Sequence, residues 1–134
     1  MNREVLKLMD CVAICSPRVG QEAALAGLTR AGAWRRKRAV DIARRRAWLG
    51  EALATRPGGF EVVSLGGFFA WFRHPFTDQA TSNVVRDLML KHDTLVIPGT
   101  AFLPDDRRML RVSAGPVDEA AAARLAKRLA AAGR

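Results

Sequence analysis

Arg111 sits inside Leu110-Arg111-Val112-Ser113, where apolar and polar residues alternate. A period of two reads as a strand, with Leu110 and Val112 on one face and Arg111 and Ser113 on the other. A guanidinium set among strand residues is uncommon, because it is rarely buried without a partner. Its charge is fixed, and its donors form a planar fork suited to a carboxylate. The residues alone leave two readings open. Arg111 receives a carboxylate ligand, or it is a half-exposed strand residue with a local acidic partner. The other chemistry-bearing side chains form no cluster. Cys11 and Cys15 read as two small buried hydrophobes, one helical turn apart, in a reducing cytosol. His74 and His92 lie in different segments without metal-ligand spacing to either cysteine, so no metal site is expected. Lys7, Lys37, Lys91 and Lys127 each fall on a predicted helix. Ser82 and Asn83 read as surface residues. No catalytic residue is assigned.

The elements that must position Arg111 follow from periodicity and punctuation. Leu95–Ile97 and Met109–Ser113 are short apolar runs bounded by Pro, Gly and Asp, and read as strands. Between them lie a loop, Pro98-Gly99-Thr100-Ala101-Phe102, and a charged turn, Asp105-Asp106-Arg107-Arg108. Phe60–Leu65 and Phe68–Arg73 read as two more strands around Gly66-Gly67. In the second of these, Phe69, Trp71 and Arg73 oppose Phe68, Ala70 and Phe72, and the aromatic block reads as core buried on both sides, with one face turned towards a ligand site as the alternative. Helical spacing runs from Arg3 to Ala13, from Val19 to Thr29 and from about Gly32 to Thr55. Arg56-Pro57-Gly58-Gly59 ends the third of these, with glycines suited to its C-cap and turn. Ser16 is placed to cap the second helix, with Pro17 in its first turn. Thr77 is placed to cap a helix running to Lys91, which buries Val84, Val85 and Leu88. Pro116-Val117-Asp118 opens a last helix with Ala122, Leu125, Ala126 and Leu129 as its stripe, ended by Gly133.

The 134 residues suit one domain with a modest core, at 49% hydrophobic and 26% charged. No apolar run is long enough to span a membrane. The first residues do not read as a signal peptide, and a cytoplasmic location is expected. The net charge of +9 invites a nucleic-acid reading. That charge is concentrated in Arg35-Arg36-Lys37-Arg38 and Arg44-Arg45-Arg46, both on the long helix. There Ile42, Leu49 and Leu53 share an apolar face, flanked by Arg38 and Arg45. No zinc-finger spacing, RNP-like aromatic strand or zipper heptad accompanies the clusters, so specific nucleic-acid binding is not expected.

Three motifs, in order and spacing, resemble the C-terminal part of the class I/II aminotransferases, the fold-type I pyridoxal-phosphate enzymes. They are Gly67-Phe68-Phe69-Ala70-Trp71, Leu95-Val96-Ile97-Pro98-Gly99-Thr100-Ala101-Phe102 and Leu110-Arg111-Val112-Ser113. Cys15-Ser16-Pro17-Arg18-Val19-Gly20-Gln21 resembles the family's segment after the pyridoxal-lysine region. The resemblance implies a remnant of the large domain over residues 1–31 and the C-terminal small domain over 32–134. It agrees with the α+β fold that the element order suggests: a small antiparallel or mixed sheet, helices packed on one side, preceded by a long helix.

The resemblance also implies roles. In the family the arginine matching Arg111 forms a two-pronged ion pair with the substrate α-carboxylate, and Phe102 and Gly67 match positions near the substrate. The family's cofactor lysine stands in a Ser-x-x-Lys type motif, and nothing like it occurs here. Pyridoxal phosphate is therefore implied for the parent family and not expected on this chain alone. Three readings follow: the C-terminal portion of an enzyme moving an amino group between an amino acid and a 2-oxo acid; a non-catalytic interaction module; or a basic nucleic-acid-binding module. The small apolar residues of Val19–Leu28 suggest a face that needs a neighbour, so a homo-oligomer is expected, with exchanged N-terminal helices as one route.

Overall fold

The computed structural model describes residues 3–12, 15–102, 104 and 107–134. The chain divides into two compact units, Met1–Arg38 and Ala39–Arg134, so the division falls within the long helix. The elements are α1 (Arg3–Val12), α2 (Arg18–Arg30), α3 (Gly32–Ala54), β1 (Glu61–Gly66), β2 (Phe69–Arg73), α4 (Thr81–His92), β3 (Ile97–Pro98), β4 (Met109–Ser113) and α5 (Glu119–Ala132). Short 3-10 turns occupy Pro57–Gly59 and Gly99–Ala101.

The second unit is built on one sheet of order β1-β2-β4-β3, in which every neighbouring pair is antiparallel. Strands β2 and β3 therefore run the same way, joined through α4, with β4 inserted between them. Alternation along β2 and β4 sorts the two faces. Ala70, Phe72 and Leu110 are buried, and they join Leu49 and Leu53 of α3, Val84 and Leu88 of α4 and Leu129 of α5 in one core. Phe60 meets Phe72 at a tilt and Phe76 edge-on, with ring centroids 6.0 Å apart in each pair, and closes that core beside β1. Each such large apolar side chain contributes about 1.5–3 kcal/mol through burial. The α+β expectation, with helices over one side of a small sheet, is borne out.

Four local expectations are corrected. Thr77 caps no helix: α4 starts at Thr81 after Ala80, and no side chain caps it. The signal is displaced because Thr81 is fully buried, with its hydroxyl 2.9 Å from His74 Nε2. Ser16 does not cap α2, whose N-cap is Pro17; the Ser16 carbonyl instead accepts from the Gln21 side chain at 2.7 Å. Cys11 and Cys15 are exposed rather than buried, and Cys15 lies beyond the end of α1, so the two share no helical turn. Arg56, not a glycine, takes the left-handed conformation that ends α3, with φ of 50°.

In the first unit, α1 and α2 bury no residue. Val5, Leu8, Met9 and Val12 recur at helical spacing on α1 and are all exposed, as are Val19, Leu25 and Leu28 on α2. Among the described residues no group of three His, Cys, Asp or Glu could hold a metal, and no helix is long and apolar enough to cross a membrane. The expected helix end at Ala13 and the acidic half of the charged turn, Asp105-Asp106, lie outside the described residues.

Candidate functional site

The sheet face opposite the core carries Phe69, Trp71, Arg111 and Ser113, all half-buried. Register fixes their arrangement: Trp71 is the cross-strand partner of Arg111, and Phe69 that of Ser113. Phe69 is thus the diagonal neighbour of Arg111, within reach of a long side chain. The Arg111 guanidinium carbon lies 4.3 Å from the Phe69 ring centroid and 4.1 Å from that of Phe102. Phe102 also meets Trp71 edge-on, at 5.8 Å between centroids.

Two aromatic faces near one guanidinium have a chemical consequence. Each π-face attracts the cation and so restricts where the fork can lie. All donors of a guanidinium lie in its plane. Among the described residues none accepts a hydrogen bond from Arg111 or forms an ion pair with it. A fork of this kind can receive both oxygens of a carboxylate in its plane. Beside it lies a cavity of about 460 Å³ whose lining includes Phe69, Leu95, Ile97, Arg111, Val112 and Leu125.

The structure brings Arg111 and Phe102 into contact and leaves Gly67 apart. Gly67 stands at the β1–β2 turn with φ of 54°, which favours glycine there, and its carbonyl accepts from Arg46 at 3.4 Å. No atom lies within 4 Å of where a Gly67 Cβ would stand. The site also contains Phe69 and Trp71, which read as core from the sequence. Alternation already set Phe69, Trp71 and Arg73 on one side of their strand. The missing signal was the β2–β4 pairing that puts this side next to Arg111.

The basic clusters of α3 are partly absorbed by the fold. Arg44 pairs with Asp41 at 3.2 Å and lies over the Trp48 ring. Arg45 donates to the Gly115 carbonyl at 2.7 Å, and Arg46 donates to Gly67. Within the second unit Lys91 pairs with Asp87 on α4, and neither Lys91 nor Lys127 lines the Arg111 cavity; in the first unit Lys7 pairs with Glu4 on α1.

No family model matches the chain. An aromatic aminotransferase of Arabidopsis thaliana is 34% identical over 130 residues, which is 92% of this chain and 32% of that protein. An archaeal alanine:glyoxylate aminotransferase structure superposes with a TM-score of 0.74 at 21% identity, over 96% of this chain and 33% of its own. An aspartate aminotransferase from Rhodobacter sphaeroides gives 0.71 at 24% identity, over 93% of this chain and 31% of its own. The two structures speak for the fold. The chain spans about a third of the length of each relative.

Proposed function

We propose that this chain, related in sequence and fold to a portion of the aminotransferases, is the C-terminal, carboxylate-binding part of a fold-type I, pyridoxal-phosphate-dependent enzyme. The parent reaction is amino transfer between an amino acid and a 2-oxo acid. The observation that carries this is the Arg111 fork, which lies over the Phe69 and Phe102 rings and has no acceptor among the described residues. In this reading Arg111 takes the α-carboxylate in the plane of its guanidinium. Phe69 and Phe102 steady the cation through their ring faces, and the adjoining cavity admits the rest of the molecule.

The residues of this chain do not fit the cofactor itself. Transamination needs a lysine that both holds the cofactor and moves a proton. No lysine lines the Arg111 cavity, and Lys7 and Lys91 are ion-paired elsewhere. The expected result of mixing the purified chain with pyridoxal phosphate and adding borohydride is no reduced adduct by mass spectrometry, and no amino transfer. An adduct on a single lysine would rebuild the enzyme reading around that residue. The carboxylate half of the proposal is tested separately. Titrating the chain with phenylpyruvate, an aromatic 2-oxo acid, is expected to move the Arg111 Nε–H resonance saturably. A resonance that stays still would remove the proposal.

A second reading, an interaction module, is favoured by the uncovered apolar faces of α1 and α2. Exposed patches of this kind drive association. Light scattering is expected to give a homo-oligomer at high concentration. A monodisperse monomer counts against it. The nucleic-acid reading has less support, since the Arg44–Arg46 side chains are engaged within the fold.

A further inference from the structure

We infer that Gly99 is a positioning residue for the Arg111 fork: by letting the Gly99–Ala101 turn lie against Met109, it holds the Phe102 ring over the guanidinium. The inference rests on reading Arg111 as the carboxylate receiver. Of the two rings on the fork, Phe69 is fixed by the β2–β4 ladder. Phe102 belongs to no strand, is 48% exposed, and reaches Arg111 from the end of a 3-10 turn. Something outside the sheet must therefore set its place.

Gly99 is buried, and it has no left-handed backbone angle to explain its type. What it supplies is space. A Cβ at this position would stand 2.6 Å from Met109 Cβ, 2.8 Å from the Met109 carbonyl oxygen and 3.2 Å from its carbonyl carbon. These atoms belong to the β4 backbone or are bonded directly to it, so no flexible side-chain tip can move aside. Met109 and Arg111 lie two residues apart on one face of β4. The turn is closed by a hydrogen bond from Phe102 N–H to the Gly99 carbonyl, at 2.9 Å. One bonded path thus runs from the Gly99–Met109 contact through the turn to Phe102 and on to Arg111. A side chain at Gly99 lifts the turn from β4 and carries Phe102 with it. The fork then loses one of its two ring contacts and gains freedom to move.

The test uses the full chain, with Arg111 Nε–H as the readout. Two ring faces displace this resonance upfield in the native chain. Gly99→Ala is expected to lose part of that displacement while the amide spectrum stays dispersed, and to weaken phenylpyruvate binding about three- to tenfold, the loss of one cation–π face. Phe102→Leu gives the same loss directly, and Gly99→Ala adds nothing further in the Phe102→Leu background. Should Gly99→Ala fail to fold, Ala101→Gly loosens the same turn without a clash and shifts the resonance in the same direction by less. An Arg111 resonance unmoved by Gly99→Ala, or by Ala101→Gly where the first does not fold, overturns the inference. The two readings fail separately. A ring-shifted resonance that responds to Gly99→Ala in a chain that binds no carboxylate removes the carboxylate reading and leaves the positioning. Carboxylate binding with no response to Gly99→Ala does the reverse.

Discussion

Arg111→Met is expected to weaken phenylpyruvate binding by one to two powers of ten and to leave the fold intact. The magnitude follows from what is removed: two charge-assisted hydrogen bonds from one planar fork, together worth about 2–3 kcal/mol in a partly water-excluded site. Methionine has a flexible stem and a thioether that packs well on aromatic rings, so the space between Phe69 and Phe102 stays filled. Among the described residues no acceptor is left orphaned, because none bonds to the native guanidinium. The melting temperature is therefore expected to stay within a few degrees, which separates a lost ligand contact from a lost fold. Arg111→Lys is the sharper control. It keeps the charge but replaces the fork with a point charge, and recovers only a small part of the affinity. Calorimetric titration of the three proteins decides it. Equal binding by Arg111→Met would place carboxylate recognition elsewhere, and full recovery by Arg111→Lys would show that charge alone suffices.

The contrast between Arg111 and its neighbours shows what a sequence can disclose. Arg111 stands out because a guanidinium among strand residues is uncommon, whereas its carboxylate role is what the aminotransferase resemblance implies. Strands β1, β2 and β4, with α3 and α5, were legible because apolar spacing and Pro/Gly punctuation agree over many residues, whereas β3 is only Ile97–Pro98 and leaves Leu95 and Val96 of the expected Leu95–Ile97 strand outside it. Phe69 and Phe102 were less legible as a pair, since their joint role depends on β2 lying beside β4, a pairing between residues about forty positions apart. Thr81 shows the same limit in reverse. Thr77 has the local chemistry of a cap, yet the helix starts where the buried Thr81–His74 contact anchors it. The exposed cysteines differ for another reason: residue type favours burial, but α1, which carries Cys11, buries none of its residues, and Cys15 lies beyond its end.

Gly58→Ala is expected to cost the second unit about 3–5 kcal/mol, as much as truncating a large buried core side chain. Sequence reading treats Gly58 as punctuation after a helix, and the structure gives it two further burdens. Its φ of 61° lies in the left-handed region, where a Cβ costs about 1–2 kcal/mol. A Cβ there would also overlap the Leu129 carbonyl oxygen and stand 2.9 Å from the Leu129 carbonyl carbon. Leu129 is fully buried, and its carbonyl accepts the Gly133 N–H that closes α5, so neither partner yields without pulling α5 from the core. Gly133 faces the same contact from the other side: its Cβ would overlap the Gly58 carbonyl oxygen and stand 2.5 Å from Gly58 Cα. Its own φ is −86°, so Gly133→Ala pays the steric part without the backbone part. The last residues of α5 can also peel away, so its cost is smaller, about 1–2 kcal/mol. The two losses do not add in the double variant, because the first displacement already opens the contact the second would strain. Gly59→Ala is the comparison: φ of 82° but only Pro75 side-chain atoms nearby, the closest at 3.1 Å, which limits the loss to the conformational part. Urea unfolding of the four variants orders them as Gly58→Ala or the double variant first, then Gly59→Ala and Gly133→Ala. Gly58→Ala within 1 kcal/mol of the native chain would mean that the Pro57–Gly59 turn does not lie against the end of α5.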